Sequence, residues 1–574
     1  MRVFFVVAGV SLFTAATASP SFHNLLKSPV DLVRRQQACA GNTAADRQTW
    51  CENSINTDYH NVVPDTGVIR EYWLDLKEAT VSPDGLSRPA ITFNGTIPGP
   101  TLFADWGDTM IVHVKNSLDR KGTSVHWHGL RMNYTNQEDG VASITQCATT
   151  PGDTYTYKFR LTQYGTTWYH SHFSLQAWDG AFGGIVINGP ASANYEEDKG
   201  VFILADWFHQ PPTSLFSQAQ TRGPPRAPTG LVNGTNVFPG EQNGTARGSR
   251  FQTSFRTGGS YLLRLINVAM DTHWKFSIDN HTLTVVAMDL VPIKAYQTNV
   301  LSIGIAQRYD VIVTADKANI ASDFWLRAVP QQSCSAISNG NDIRGIIHYG
   351  ESTGTPNTKS YHFVDECVDE EARSLSPVVA KDVGSTPFLR TVQEVTLGRN
   401  ARNLFRWYVN GSTMEVQWGD PTLNRVVSND MSWNRPQNVI QLDETNQWAY
   451  VIIQSRLALP HPIHLHGHDF HVLAQGSGTV RDNTTLNLRN PPRRDTAMLP
   501  AGGHLVMAWE TDNPGAWLMH CHIGWHTVQG LALQFVERFS EIKPLVNTTL
   551  IQDSCGRWNA FAAANNITVD DSGI

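Results

Sequence analysis

Four His-x-His pairs constrain this chain more than any other feature of its sequence. They are His126/His128, His170/His172, His464/His466 and His520/His522. In an extended strand residues i and i+2 share a face, so each pair presents two imidazoles side by side. The pairs recur in two matched contexts. His126-Trp127-His128-Gly129 is followed by Pro151-Gly152 and then by Trp168-Tyr169-His170-Ser171-His172. His464-Leu465-His466-Gly467 is followed by Pro500-Ala501-Gly502 and then by Trp517-Leu518-Met519-His520-Cys521-His522. The shared order marks an internal duplication. A run in the middle third, Phe324-Trp325-Leu326-Arg327-Ala328-Val329, has a similar character without the histidines. A chain of 574 residues exceeds what one hydrophobic core can hold, so three related domains are expected, with chemistry in the first and third.

Those domains read as β-sandwiches. Short alternating runs such as Val68 to Leu76, Met110 to Val114, Thr154 to Leu161 and Tyr261 to Val268 lie between Gly, Pro and Asn clusters. The series continues through Leu283 to Met288, Val311 to Thr314, Trp448 to Gln454, Leu505 to Glu510 and Leu531 to Phe535, while long helical patterns are scarce. The boundaries expected are 36–190 for the first domain, 191–353 for the second and 389–545 for the third. A Ser-, Thr-, Pro- and Asp-rich linker at 354–388 and a tail at 546–574 complete the division.

Of 21 histidines, eight fall in these pairs and two more, His461 and His526, lie within four residues of one. Eight paired imidazoles match the needs of a copper cluster, because imidazole suits copper and few other partners require so many. The fourth pair says more. If His520 and His522 face one side of a strand, Cys521 faces the other. His461 and His526 are available to join it, and a His₂Cys set is the blue-copper electron-transfer arrangement. Seven cysteines leave one unpaired in an oxidising compartment, and Cys521 is the expected exception. Spacing favours Cys39–Cys51 and Cys334–Cys367, which leaves Cys147–Cys555 as a long tether. Fifteen pairings of six cysteines stay formally open.

Taken together, His126-Trp127-His128-Gly129, Trp168-Tyr169-His170-Ser171-His172, His461-Pro462-Ile463-His464-Leu465-His466-Gly467 and His520-Cys521-His522-Ile523-Gly524-Trp525-His526 resemble the four copper motifs of multicopper oxidases. Nearly the whole mature chain resembles fungal laccases of the ascomycete type. That resemblance implies an all-β fold of three cupredoxin-like Greek-key β-sandwich domains and four copper ions. His461, Cys521 and His526 would hold the type 1 copper, and His126 and His464 the type 2. His128, His170, His172, His466, His520 and His522 would hold the type 3 pair. Leu531, ten residues after Cys521, matches the axial position of the type 1 site, where a side chain that cannot ligate raises the potential. Asp139 resembles the acid that assists proton delivery to the trinuclear cluster, and Asp206 the carboxylate that takes a phenolic proton beside the type 1 copper. Without the resemblance these two read as a turn residue before Gly140 and a strand-end or capping residue. His468, His471 and His504 match no ligand position and read as supporting residues. The implied activity is one-electron oxidation of small phenols coupled to four-electron reduction of dioxygen to water, with electrons passing from Cys521 to His520 and His522. The implied protein is a monomer.

The N-terminus reads as an address. Arg2, an apolar run from Val3 to Thr14 and Ala16-Thr17-Ala18 form a signal-peptide pattern over 1–18, and Arg34-Arg35 closes a propeptide at 19–35. Nine Asn-x-Ser/Thr sequons agree with a secreted, extracellular glycoprotein carrying N-glycans: Asn94, Asn133, Asn233, Asn243, Asn280, Asn410, Asn483, Asn547 and Asn566. A formal charge of −7 argues against nucleic acid or an anionic membrane as partner. Two rival readings stand against this one. An ascorbate, bilirubin or iron oxidase is disfavoured by the terminal Asp571-Ser572-Gly573-Ile574, which resembles the C-terminal plug of ascomycete laccases. A blue-copper carrier needs only His461, Cys521 and His526 and leaves eight imidazoles unexplained.

Overall fold

The structure is a computed structural model and describes residues 39–239 and 246–567. The signal peptide, the propeptide, the Asn243 sequon and the terminal Asp571 to Ile574 lie outside the described residues. Residues Cys39 onward form one compact unit.

Alternation builds the strands. In Thr154–Arg160, Tyr155, Tyr157 and Phe159 are buried while Thr154, Thr156 and Lys158 are exposed. Burying each such aromatic contributes roughly 1.5–3 kcal/mol, which fixes the face. Apart from two short two-stranded sheets, the described strands form three pairs of sheets. The first pair has four strands in each sheet, and the second and third pairs have six and five. Each pair repeats one topology. In one sheet a parallel pairing joins Ile69–Val81 to Thr109–Asn116, Glu197–Trp207 to Ser260–Asn267, and Leu389–Arg399 to Trp448–Ser455. In the facing sheets Gly99–Asp105 runs parallel to Phe182–Asn188, Gln252–Phe255 to Arg344–Tyr349, and Val439–Leu442 to Ala532–Glu537.

A three-fold signature escaped the sequence reading. The turns Asn94-Gly95-Thr96, Asn233-Gly234-Thr235 and Asn410-Gly411-Ser412 have φ of 56°, 46° and 50° at Asn, followed by glycines at 83°, 76° and 72°. Two positive φ values in succession are what Asn-Gly supplies in a tight hairpin. Each Asn side chain is tied to the neighbouring strand. Oδ1 accepts from the backbone of Asp75, Ile203 and Glu394, and Nδ2 donates to the carbonyls of Trp73, Val201 and Val392.

The tail is more ordered than a tail. Thr548–Asn565 is an 18-residue helix capped by Asn547, whose side chain accepts from the Leu550 N–H at 3.1 Å. It buries Ile551, Ser554, Cys555 and Trp558, a spacing that makes one face. The three disulfides are Cys39–Cys51, Cys147–Cys555 and Cys334–Cys367, and Cys521 is free and buried. Cys147–Cys555 spans 408 residues and holds this helix on the first sandwich. Replacing both cysteines by Ala is expected to cost about 2–4 kcal/mol. Chemical denaturation would show this as a lower midpoint with unchanged copper content; an unshifted midpoint would leave the tether without a stabilising role.

Candidate metal centre

Four strands carry the motifs: β1 (Val125–His128), β2 (Gly165–Ser171), β3 (His461–Leu465) and β4 (Gly515–Cys521). The second histidine of three pairs lies one residue past its strand end, at His172, His466 and His522. β1 and β2 are antiparallel with His126 opposite His170, and β3 and β4 are antiparallel with His464 opposite His520. The duplication seen in the sequence is therefore a duplication of register. The local hydrogen bonds repeat as well: the Nδ1–H of His170 and of His520 each donates to the carbonyl of the next residue at 3.0 Å.

The eight imidazoles converge between the first and third sandwiches. Their ligand atoms group as His126/His128/His464, His128/His170/His522 and His172/His466/His520, each within 4.8 Å. All eight side chains are buried. Burial is the main reason that His128, His170, His172, His464, His466, His520 and His522 titrate below the ordinary imidazole value, with neighbouring imidazoles adding to it for most. Neutral imidazole is the ligating form.

Several of the nitrogens that face inward have no hydrogen-bond partner. Nε2 of His126, His170 and His464 is buried and unpartnered, while Nδ1 of His126 and His464 donates to the carbonyls of Asp139 and Asp495. His128 is turned the other way, with Nε2 at 3.2 Å from Asp495 and Nδ1 unpartnered. His466 and His520 bring two Nε2 atoms to 3.3 Å. Converging lone pairs without protons to share fit a cation, and an all-imidazole set fits copper.

Cys521 faces away from that cluster, as strand alternation requires. Its Sγ lies 3.7 Å from His461 Nδ1 and 3.6 Å from His526 Nδ1, and the two nitrogens are 3.2 Å apart. His461 sits three residues before His464, so it takes the opposite face of β3. A short helical turn, Gly524–Thr527, brings His526 back over the sulfur. Burial pulls His461 down to about 3 and pushes the Cys521 thiol up. Trp407 packs on both histidines, with ring centroids at 4.9 and 4.3 Å. The Cys521 N–H donates to the Leu531 carbonyl at 3.1 Å, which sets Leu531 beside the site.

Asp139 lies between the two sandwiches. Its Oδ2 accepts from His466 Nδ1 at 2.9 Å, and its Oδ1 lies 3.2 Å from His126 Nδ1. Gly140 is needed for this placement, because φ is +79° and an added Cβ would lie 1.7 Å from the Val125 carbonyl oxygen. Asn136 locks the same turn to β4 by exchanging hydrogen bonds with Ala516 at 2.8 and 2.9 Å. The second sandwich reaches the cluster through Arg308. Its guanidinium pairs with Asp495 at 2.8 and 2.5 Å. Although burial pushes Asp495 up, this charge holds it well below the usual carboxylate range. Neither residue stood out in the sequence, since no motif marks them. His468 links the His466 carbonyl to Glu537, and His504 bonds the Gly478 carbonyl. His471 is buried against the edge of Trp448.

His526 lines a cavity of about 240 Å³, walled by Pro224, Ile305, Leu397, Phe405, Leu459 and Met498 among others. Asp206 is not among the lining residues. Its carboxylate accepts from the backbone N–H groups of Met270 and Asp271 and from the Thr272 hydroxyl, at 2.8–2.9 Å. The residue it holds, Asp271, does line the cavity. Burial, with the Asp206 charge behind it, raises Asp271 well above the ordinary carboxylate value. The sequence reading missed Asp271 because a lone Asp after Ala269-Met270 carries no motif.

Three two-sheet sandwiches thus carry two buried donor sets, one of eight imidazoles and one of two imidazoles and a thiol, both suited to copper. Models of the multicopper oxidase family match residues 75–192, 198–352 and 405–541. The chain is 44% identical to laccase-2 of Botryotinia fuckeliana over 100% of this chain and 99% of that one. It is 46% identical to laccase-1 of the same fungus, over 94% and 95%. The crystal structure of the laccase from Botrytis aclada superposes with a TM-score of 0.89 at 44% identity, covering 94% of this chain and 100% of that one. The chain belongs to the multicopper oxidases and, within them, to the fungal laccases.

Proposed function

We propose that the protein is a secreted laccase that oxidises small phenols one electron at a time and reduces dioxygen to water. The observation that carries this reading is Cys521, flanked by His520 and His522 and facing a separate His461/His526 set. One covalent segment thus joins two donor sets of different character. His461, Cys521 and His526 hold a type 1 copper, and His126 and His464 a type 2. His128, His170 and His522 hold one member of the type 3 pair, and His172, His466 and His520 the other. When bound, the four copper ions supply one-electron acceptance at the cysteine set and four-electron reduction of dioxygen at the histidine set. The nine sequons and the leader pattern support export with N-glycans.

The residues do the rest. The apolar cavity binds an aromatic ring against the edge of His526 and excludes water from it. Asp271 stands where a phenolic hydroxyl arrives and accepts its proton, a role that the sequence reading gave to Asp206. Asp206 instead holds the 270–272 segment by its three hydrogen bonds. Asp139 holds and delivers protons beside His466 and His126. Steady-state oxygen uptake with a dimethoxyphenol, ascorbate, bilirubin and Fe²⁺ tests the whole reading; preference for any of the last three over the phenol would overturn it.

The carboxylate assignment has its own test. Asp271→Asn is expected to slow phenols about 10²-fold and to leave a non-phenolic one-electron donor almost unaffected. Only the ionised carboxylate accepts a proton, so phenol turnover in the parent should rise with pH through the raised Asp271 value, and this limb should vanish in the variant. Asp206→Asn should slow both substrate classes alike and lower stability by about 1–3 kcal/mol. A phenol-selective loss in Asp206→Asn alone would return the role to Asp206.

A further inference from the structure

The outer face of the first sandwich carries an exposed tryptophan beside a sequon. Trp73 is 63% exposed, in the middle of strand Ile69–Val81. Its ring stacks on His113 at 4.9 Å with 26° between the planes. His113 is itself fixed, with one ring nitrogen 2.8 Å from Glu71 and the other 2.9 Å from the Thr156 hydroxyl. A single exposed aromatic needs no explanation. This one is held flat by a tethered ring and shares a surface groove with Asn94.

We infer that Asn94 is N-glycosylated and that the first sugar of its glycan lies on the indole face of Trp73. Asn94-Gly95-Thr96 is a complete acceptor sequence on an exposed hairpin. The Asn94 Nδ2 donates one hydrogen to the Trp73 carbonyl at 3.3 Å, while Oδ1 accepts from Asp75 at 2.7 Å. Nδ2, the atom that the sugar joins, therefore sits beside the backbone of the residue whose ring forms the platform. Burying the apolar face of the sugar against the ring removes exposed indole from water. Lys77 and Lys115 line the same groove and offer donors to sugar hydroxyls. The transfer draws on a lipid-linked oligosaccharide diphosphate. The bond from sugar C1 to the diphosphate breaks, an Nδ2–C1 bond forms, and Nδ2 releases one proton.

The inference rests on export through a glycosylating compartment, and the test separates the two. The full chain is produced by secretion from a yeast host, and each sequon peptide is analysed by mass spectrometry. Native release by a peptide N-glycosidase is then timed site by site in the parent and in Trp73→Ser and Trp73→Phe. Asn94 should carry sugar. Its release should quicken about fivefold in Trp73→Ser, the scale of one lost aromatic contact, and less in Trp73→Phe, with the other sites unchanged. A bare Asn94 in a protein glycosylated elsewhere overturns the inference, as does an unchanged release rate at Asn94 in Trp73→Ser. A protein without sugar at any sequon overturns the export reading and this inference with it.

Discussion

Cys521→Ser is expected to abolish the intense blue absorption and to lower phenol oxidation by about 10³-fold or more, while the eight-histidine cluster keeps its metal. The substitution is nearly isosteric, so the β-sheet around it should stand. What changes is the donor. A thiolate between two imidazoles is replaced by a hydroxyl, which stays protonated and binds copper weakly. Burial already pushes the Cys521 thiol up, so its thiolate form depends on a cation beside it. The histidine cluster lies on the other face of β4 and shares no ligand with the cysteine set. Metal analysis should find one copper fewer per chain, and the spectrum of the histidine-bound ions should persist. A variant that stays blue would end the assignment of Cys521, and with it the division into two donor sets.

Most of this division was legible in the sequence, because strand parity is rigid. Odd and even positions on β3 and β4 fall on opposite faces, so His461 and Cys521 separate from His464 and His520 before any coordinates are known. The same rule could not find Arg308, Asp495 or Asp271. Their roles come from contacts between residues 187 apart in the chain, or from a loop shaped by Asp206 at a distance of 65. The helix at Thr548–Asn565 does not show in the sequence because its buried face is short and mixed, Ile551, Ser554, Cys555 and Trp558 rather than a leucine stripe. In the sequence the three Asn-Gly turns show only as sequons. Only the shared hydrogen bonds to neighbouring strands show that they are one structural device repeated.

Asp139 carries the second large effect. It is a buried carboxylate that touches one histidine from each half of the cluster, His126 from the first sandwich and His466 from the third. Dioxygen cannot become water without protons, and a buried cluster has no bulk water to supply them at each step. A carboxyl group bonded to the histidine nitrogens can hold a proton at the cluster edge and pass it inward. Asp139→Asn preserves the shape and most hydrogen bonds but removes the exchangeable proton. Oxygen turnover should fall about 10²–10⁴-fold, the usual contribution of a positioned acid. Anaerobic bleaching of the blue absorption by a phenol should proceed at the parent rate, because that step ends at the cysteine set. Copper content decides between two causes of a slow variant. Full copper with slow reoxidation identifies Asp139 as the proton donor, whereas lost copper makes it a group that merely orients His126 and His466. Parent-like oxygen turnover in a copper-replete variant would remove Asp139 from the mechanism altogether.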